Sequence, residues 1–290
     1  MNNSRICRLM SLVFVLLCGL QAATGQKLKP EEIIAKHLEA MGGAETLKSV
    51  TTRISNGSVI ATFKTPALAK FAGRAVLASD GRKNLMAMIF DQTNYPQEKI
   101  GFDGSDVSAS YIRPGIRSDL GEFLLAHRAI IKQGVWGGAL SQAWPLLNAG
   151  EYKVKVESAG TKKIDDRMAH QLKFYPIGTD LRVTMFFDAE TFHHIRTEYY
   201  RSIEGQMGRT PETSSSTGET RYKLVEDFSD FRKEGGLTLP HAYKIYFETS
   251  GRSGSYKAEW AITLSDFQFN QRIDPAAFDV DDKKKSQQSQ

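Results

Sequence analysis

The chain has 290 residues, 41% of them hydrophobic and 24% charged, with 38 Lys and Arg against 33 Asp and Glu. A chain of this length buries an ordinary core without disulfide staples, and its only two cysteines are Cys7 and Cys18. The net charge of +5 owes part of its excess to Lys283-Lys284-Lys285 at the end. No basic stripe interleaved with aromatics occurs, so a nucleic-acid-binding class is excluded.

In chain order, Arg5 and Arg8 make a short positive segment, residues 9–20 are almost wholly apolar, and Ala23-Thr24-Gly25 supplies small residues. This is the pattern of a secretory signal peptide over residues 1–25, cut after Gly25. Its apolar run of 12 residues is too short to span a ~30 Å hydrocarbon core. Both cysteines fall inside it, and Leu17 is bulky where lipid attachment at Cys18 would want a small residue. The expected product is an exported chain without a membrane span.

A helix is expected next. Pro30 suits a first helical position, Glu31 and Glu32 complement the positive helix end, and Ile33, Ile34, His37, Leu38 and Met41 share one face. Gly42-Gly43 supplies the stop. From about residue 51 the period changes to two. Met86, Met88 and Phe90 alternate with Leu85, Ala87 and Ile89, after a turn at Ser79-Asp80-Gly81-Arg82. Val107, Ala109 and Tyr111 alternate with polar residues, as do Tyr152, Val154 and Val156.

Ser118 is a candidate N-cap for a helical insertion carrying Leu120, Phe123, Leu124, His127 and Ile131. Residues 134–147 that follow are apolar and glycine-rich, unlike a strand. Strands then resume. Leu181, Val183, Met185 and Phe187 share a face, as do Tyr243, Ile245 and Phe247, and Tyr256, Ala258, Trp260, Ile262 and Leu264. Residues 202–218 read as a long polar hairpin loop, and 282–290 as a disordered basic and polar tail. Ten or eleven antiparallel strands in one domain over 26–281 are expected, as one large sheet or open barrel. Two short helices offer limited cover for so many strands, so either the sheet curls on itself or an apolar groove remains.

Six segments together carry a family resemblance. They are the helix ending in Met41-Gly42-Gly43, Phe102-Asp103-Gly104, Phe187-Asp188-Ala189-Glu190-Thr191, Asp227-Phe228-Ser229-Asp230-Phe231-Arg232, Gly236-Leu237-Thr238-Leu239-Pro240-His241, and Ile273-Asp274-Pro275-Ala276-Ala277-Phe278-Asp279. In this order the chain resembles the bacterial periplasmic proteins related to outer-membrane lipoprotein carriers, the LolA/LolB-like superfamily. The resemblance implies an α+β, mostly antiparallel half-barrel, unclosed, with short helices as a lid over a hydrophobic cavity that accepts acyl chains. It also implies a periplasmic location and lipid or lipoprotein cargo.

Catalytic and metal chemistry find no support in the residues. His193 and His194 are adjacent on an expected strand, so their side chains point to opposite faces and cannot share a metal. No H-E-x-x-H, G-x-S-x-G or phosphate-loop spacing occurs. The pairs Asp227/Asp230 and Asp188/Glu190 sit at turns or strand ends. No catalytic residue, metal or cofactor is expected. The candidate apolar ligand-binding residues are Met86, Met88, Phe90, Phe123, Leu124, Val183, Met185, Phe187, Phe247 and Trp260, flexible methionine suiting an adaptable ligand. Trp136, Leu140 and Trp144 are candidates for an exposed contact with an envelope membrane or protein partner, with packing under the sheet as the other option. The expected function is a monomeric carrier that shields acyl chains reversibly. The alternative is an envelope sensor or interaction module on the same half-barrel.

Overall fold

The computed structural model describes residues 28–147, 155–204, 219–252 and 254–281. The expected signal peptide, Tyr152, Val154, most of the 202–218 loop and the 282–290 tail lie outside the described residues. Helix α1 (Pro30–Ala40) begins at the proline and buries Ile33, Ile34 and His37. Gly42 and Gly43 take positive φ values of 129° and 81°, which end α1 as expected. They lead into a second short helix, α2 (Gly43–Ser49), which the sequence pattern did not reveal because it buries no residue of its own.

Twelve strands follow, all in one antiparallel sheet. They are β1 (Thr52–Thr65), β2 (Ala69–Asp80), β3 (Lys83–Phe90), β4 (Gln97–Phe102), β5 (Val107–Ala109), β6 (Val156–Ile164), β7 (Arg167–Phe174), β8 (Arg182–Asp188), β9 (His194–Ile203), β10 (Thr220–Glu234), β11 (Leu237–Gly251) and β12 (Gly254–Phe269). Their order across the sheet is β5-β4-β3-β2-β1-β12-β11-β10-β9-β8-β7-β6. The chain starts mid-sheet, works outward to β5, and restarts at the opposite edge to return from β6 to β12. Because β1 pairs β12 while β5 and β6 stay unpaired to one another, the sheet is an unclosed half-barrel, in agreement with the expected fold class.

That order explains where the lid lies. Residues 110–155 join one sheet edge to the other, so the chain must cross a face of the sheet on the way. The crossing carries α3 (Asp119–Ala126), α4 (Ala129–Lys132) and a 3-10 turn (Gly138–Leu140). Ser118 caps α3 as expected, its hydroxyl accepting from the Gly121 N–H at 2.9 Å. The face it covers, here the inner face, carries the alternate apolar residues of the strands, and together they form one hydrophobic core. A much smaller cluster of Ile164, Ala169, Phe186 and Ile195 lies apart from it.

Candidate functional site: the covered inner face

Strand parity brings the expected ligand-facing residues together. Met86, Met88 and Phe90 on β3, Val183, Met185 and Phe187 on β8, Phe247 on β11 and Trp260 on β12 all join the core under the lid. Phe123 and Leu124 face them from α3, the Phe123 ring lying 5.0 Å from Phe247 and 5.7 Å from Tyr222. Trp260 donates from Nε1 to the Tyr95 hydroxyl at 2.9 Å, and Tyr95 donates to Glu98 at 2.7 Å.

The space expected beneath the lid is occupied by the chain itself. Residues 134–147 fold inward as a plug, and Trp136, Leu140 and Trp144 are 1%, 3% and 0% exposed. An exposed membrane or partner contact by these three residues is therefore corrected. Lacking strand partners of their own, they lose most water-exposed apolar surface by packing against the inner face. Between plug and sheet there remains a cavity of about 10 Å³ lined by Leu77, Met86, Trp136, Leu140 and Tyr243 among others, about the space of one water. Glycine is required for so close an approach. A Cβ on Gly134 (φ +72°) would stand 1.7 Å from the Ala143 carbonyl oxygen, and one on Gly138 (φ +50°) 2.8 Å from His194 Nδ1.

The plug has no β-ladder with the sheet; side chains hold it. The buried Glu226 carboxylate of β10 accepts from the Gly137 N–H at 2.8 Å and from the Tyr243 and Tyr199 hydroxyls at 2.5 Å each. Arg53 of β1 donates from Nη1 to the Ala139 carbonyl at 2.6 Å. Asn84 donates to Ser141 Oγ at 2.9 Å, and Ser79 Oγ accepts from the Gln142 N–H at 3.0 Å. Trp144 donates from Nε1 to His37 Nε2 at 3.3 Å and stacks on His194 at 4.7 Å. His37 Nε2 is thus the acceptor nitrogen, and its Nδ1 meets the Phe192 carbonyl at 3.0 Å.

Burial dominates the electrostatics of these tethers. It pushes the Glu226 carboxyl up to about 7, against the opposing pull of the two tyrosines and Gly137. It raises Glu98 to about 7 as well, despite hydrogen bonds from Ser118 and Tyr95. His37 is lowered to about 4 and His194 well below its ordinary range, so both are neutral near pH 7. Arg53 falls to about 10 and stays charged. His193 stacks on Phe231 while His194 points to Trp144, as their adjacency on a strand implied. Among the described residues, no cluster of three or more His, Cys, Asp or Glu is placed to hold a metal.

Arg53 and Glu226 escaped the sequence analysis, although a signal exists. Glu226 lies in phase with Leu224 and Phe228 on the apolar side of β10, and Arg53 in phase with Ser55 and Val59 on β1. A charge on the inward parity of a strand marks a buried polar function.

No family model matches the chain, and no curated protein matches it. Among solved structures, it is similar to a LolA superfamily protein from Nitrosomonas europaea (15% identity, 87% of this chain and 97% of that one, TM-score 0.46). It is also similar to a DUF1329 family protein from Desulfovibrio piger (13%, 86% and 96%, TM-score 0.47). A third is a putative outer membrane lipoprotein-sorting protein domain from Vibrio parahaemolyticus (11%, 87% and 96%, TM-score 0.43). Among the described residues, no helix is long and apolar enough to cross a membrane.

Proposed function

We propose that the protein is a periplasmic, non-catalytic carrier that binds an acyl chain reversibly on the inner face, in the place that residues 134–147 occupy in this structure. Met86, Met88, Phe90, Val183, Met185, Phe187, Phe247 and Trp260 would line the chain, with Phe123 and Leu124 as the lid. One observation carries this reading: a wide apolar face is covered by a segment that shares no β-ladder with it and is held by separable side-chain tethers. Burying about ten methylenes at ~0.8 kcal/mol each offers roughly 8 kcal/mol gross. Displacing the plug and the cost of association reduce that to weak, reversible binding, which suits a carrier.

The small size of the cavity left between plug and sheet favours a second reading, in which the plug is permanent core and the half-barrel recognises an envelope protein. A lock on the plug separates the two. With Cys7 and Cys18 replaced by serine, Asn84→Cys and Ser141→Cys place a thiol pair where those side chains now bond. The reduced protein should bind a fluorescent sixteen-carbon acyl probe, and the oxidised protein should lose at least tenfold in affinity. Equal binding in both states, or none in either, removes the carrier reading.

A further inference from the structure

A second site, apart from the inner face, follows from Arg53. Its side chain is 1% exposed, and burial alone accounts for its lowered basicity, since no described carboxylate offsets its charge. A buried ion without a counter-ion is costly, and guanidinium presents paired donors that match a carboxylate. Two of its three nitrogens have neutral partners. Nη1 donates to the Ala139 carbonyl at 2.6 Å, and Nη2 to the Gln142 side-chain oxygen at 3.2 Å, in the amide orientation that also lets Gln142 donate to the Val50 carbonyl at 3.2 Å. Among the described residues, Nε has no hydrogen-bond partner. The Nε–Nη2 edge, the one that forks onto a carboxylate, is thus half-filled by a single amide oxygen.

Gln142 stands between that edge and the surface. It lines an open groove of about 410 Å³ at the end of the half-barrel where α1 and α2 meet the β2–β3 turn. The volume lies within the range of small-ligand sites. Leu38, Leu47, Val50 and Leu147 make the walls apolar, and Lys48, Arg82 and Asp80 also line it, leaving one more cation than anion.

We propose that this groove binds a carboxylate with an apolar chain of medium length, whose head group displaces the Gln142 amide oxygen and forks onto Nε and Nη2 of Arg53. The chain lies against Leu38, Leu47 and Val50. Binding needs Gln142 to swing aside and leaves the plug in place, so the site stands or falls independently of acyl binding on the inner face. No covalent step is involved.

Octanoate is the probe, with 1-octanol as the uncharged control, both titrated calorimetrically into the full chain at pH 7. Octanoate should bind at one site per chain and at least tenfold more tightly than octanol, because a carboxylate forks onto both Nε and Nη2 and offsets the buried charge, whereas a single neutral hydroxyl oxygen can accept from only part of that edge. Arg53→Met should abolish the preference and still fold, since an apolar replacement of a buried charge is tolerated. Gln142→Ala, which removes the competing oxygen, should tighten octanoate several-fold, a change that a structural role for Gln142 does not explain. Oxidising the double variant that carries Asn84→Cys and Ser141→Cys should leave octanoate binding unchanged while the sixteen-carbon probe is lost. The proposal is overturned if octanoate and octanol bind alike, if octanoate does not bind, or if Arg53→Met leaves the preference intact.

Discussion

Strand β12 and the plug are both deeply buried and contribute tryptophans to the same core, Trp260 from the strand and Trp136 and Trp144 from the plug. Their attachments differ. β12 is paired with β1 from Lys257 to Phe269 on one side and with β11 from Gly254 to Thr263 on the other. The plug turns through a 3-10 segment, bonds mostly to itself, and meets the sheet through Glu226, Arg53, Asn84 and Ser79 and helix α1 through His37. Burial therefore does not measure how hard a segment is to remove. Removing β12 breaks two ladders at once, whereas lifting the plug breaks about five side-chain bonds and exposes apolar surface that a ligand can cover again. Local opening free energies spread widely within one domain for this reason.

The largest test of that contrast truncates one tryptophan in each region. Trp260→Ala and Trp144→Ala should each cost about 3–5 kcal/mol of packing, but in different places. With Trp260→Ala the loss should appear in the global unfolding transition. With Trp144→Ala it should appear first as faster amide exchange over residues 134–147, while the amides of β10, β11 and β12 keep their protection. Equal acceleration in plug and sheet would make the plug part of the same cooperative unit, and would favour the interaction-module reading.

Of these two regions, the sheet was legible in sequence and the plug only in part. Alternation of Val183 with Arg182 and Thr184, or of Trp260 with Glu259 and Ala261, reports a strand and its inward face directly, because the pleat has a period of two. The helix over Pro30–Ala40 and the cap at Ser118 were legible for the same local reason. Helix α2 and the short α4 were not. Ile131, which sits on α4, reads as a continuation of the α3 stripe when its spacing alone is considered. The plug was visible as an apolar, glycine-rich stretch, but its burial follows from topology: β5 and β6 end at opposite edges, and no local pattern encodes that. Arg53 and Glu226 were hidden because a charged residue on a strand reads as solvent-facing until register places it inward.

The second test reads the plug's tether through pH. Burial raises Glu226 to about 7 in the folded protein, so between its ordinary value of 4.5 and 7 the folded state holds more protons than the unfolded state. Its ionisation makes stability fall as pH rises through that window and level off above 7. His37, lowered to about 4, acts with the opposite sign: the unfolded state holds more protons between pH 4 and 6.5, and stability falls as pH drops. The two slopes oppose one another in the wild type, so Glu226 is isolated by difference. The stability of Glu226→Gln relative to wild type should rise by up to about 3 kcal/mol between pH 4.5 and 7.5. Urea unfolding across that range measures it, and a pH-independent difference would mean that Glu226 is hydrated, with the plug loose about it.

The smallest effect is expected at the other end of the lid, where Ser118 serves two partners at once. Its hydroxyl accepts from the Gly121 N–H at the start of α3 and donates to the Glu98 carboxylate, which burial holds at about 7. Ser118→Ala removes the cap at any pH, at a cost of about 1 kcal/mol. It also removes a donor that matters more once Glu98 is ionised, so the loss should be larger at pH 8 than at pH 5. Ser118→Thr keeps both roles and should behave as wild type at either pH. If the alanine variant costs the same at pH 5 and pH 8, Ser118 caps the helix without holding the lid to the sheet, and the tethering of the covering layer reduces to the plug alone.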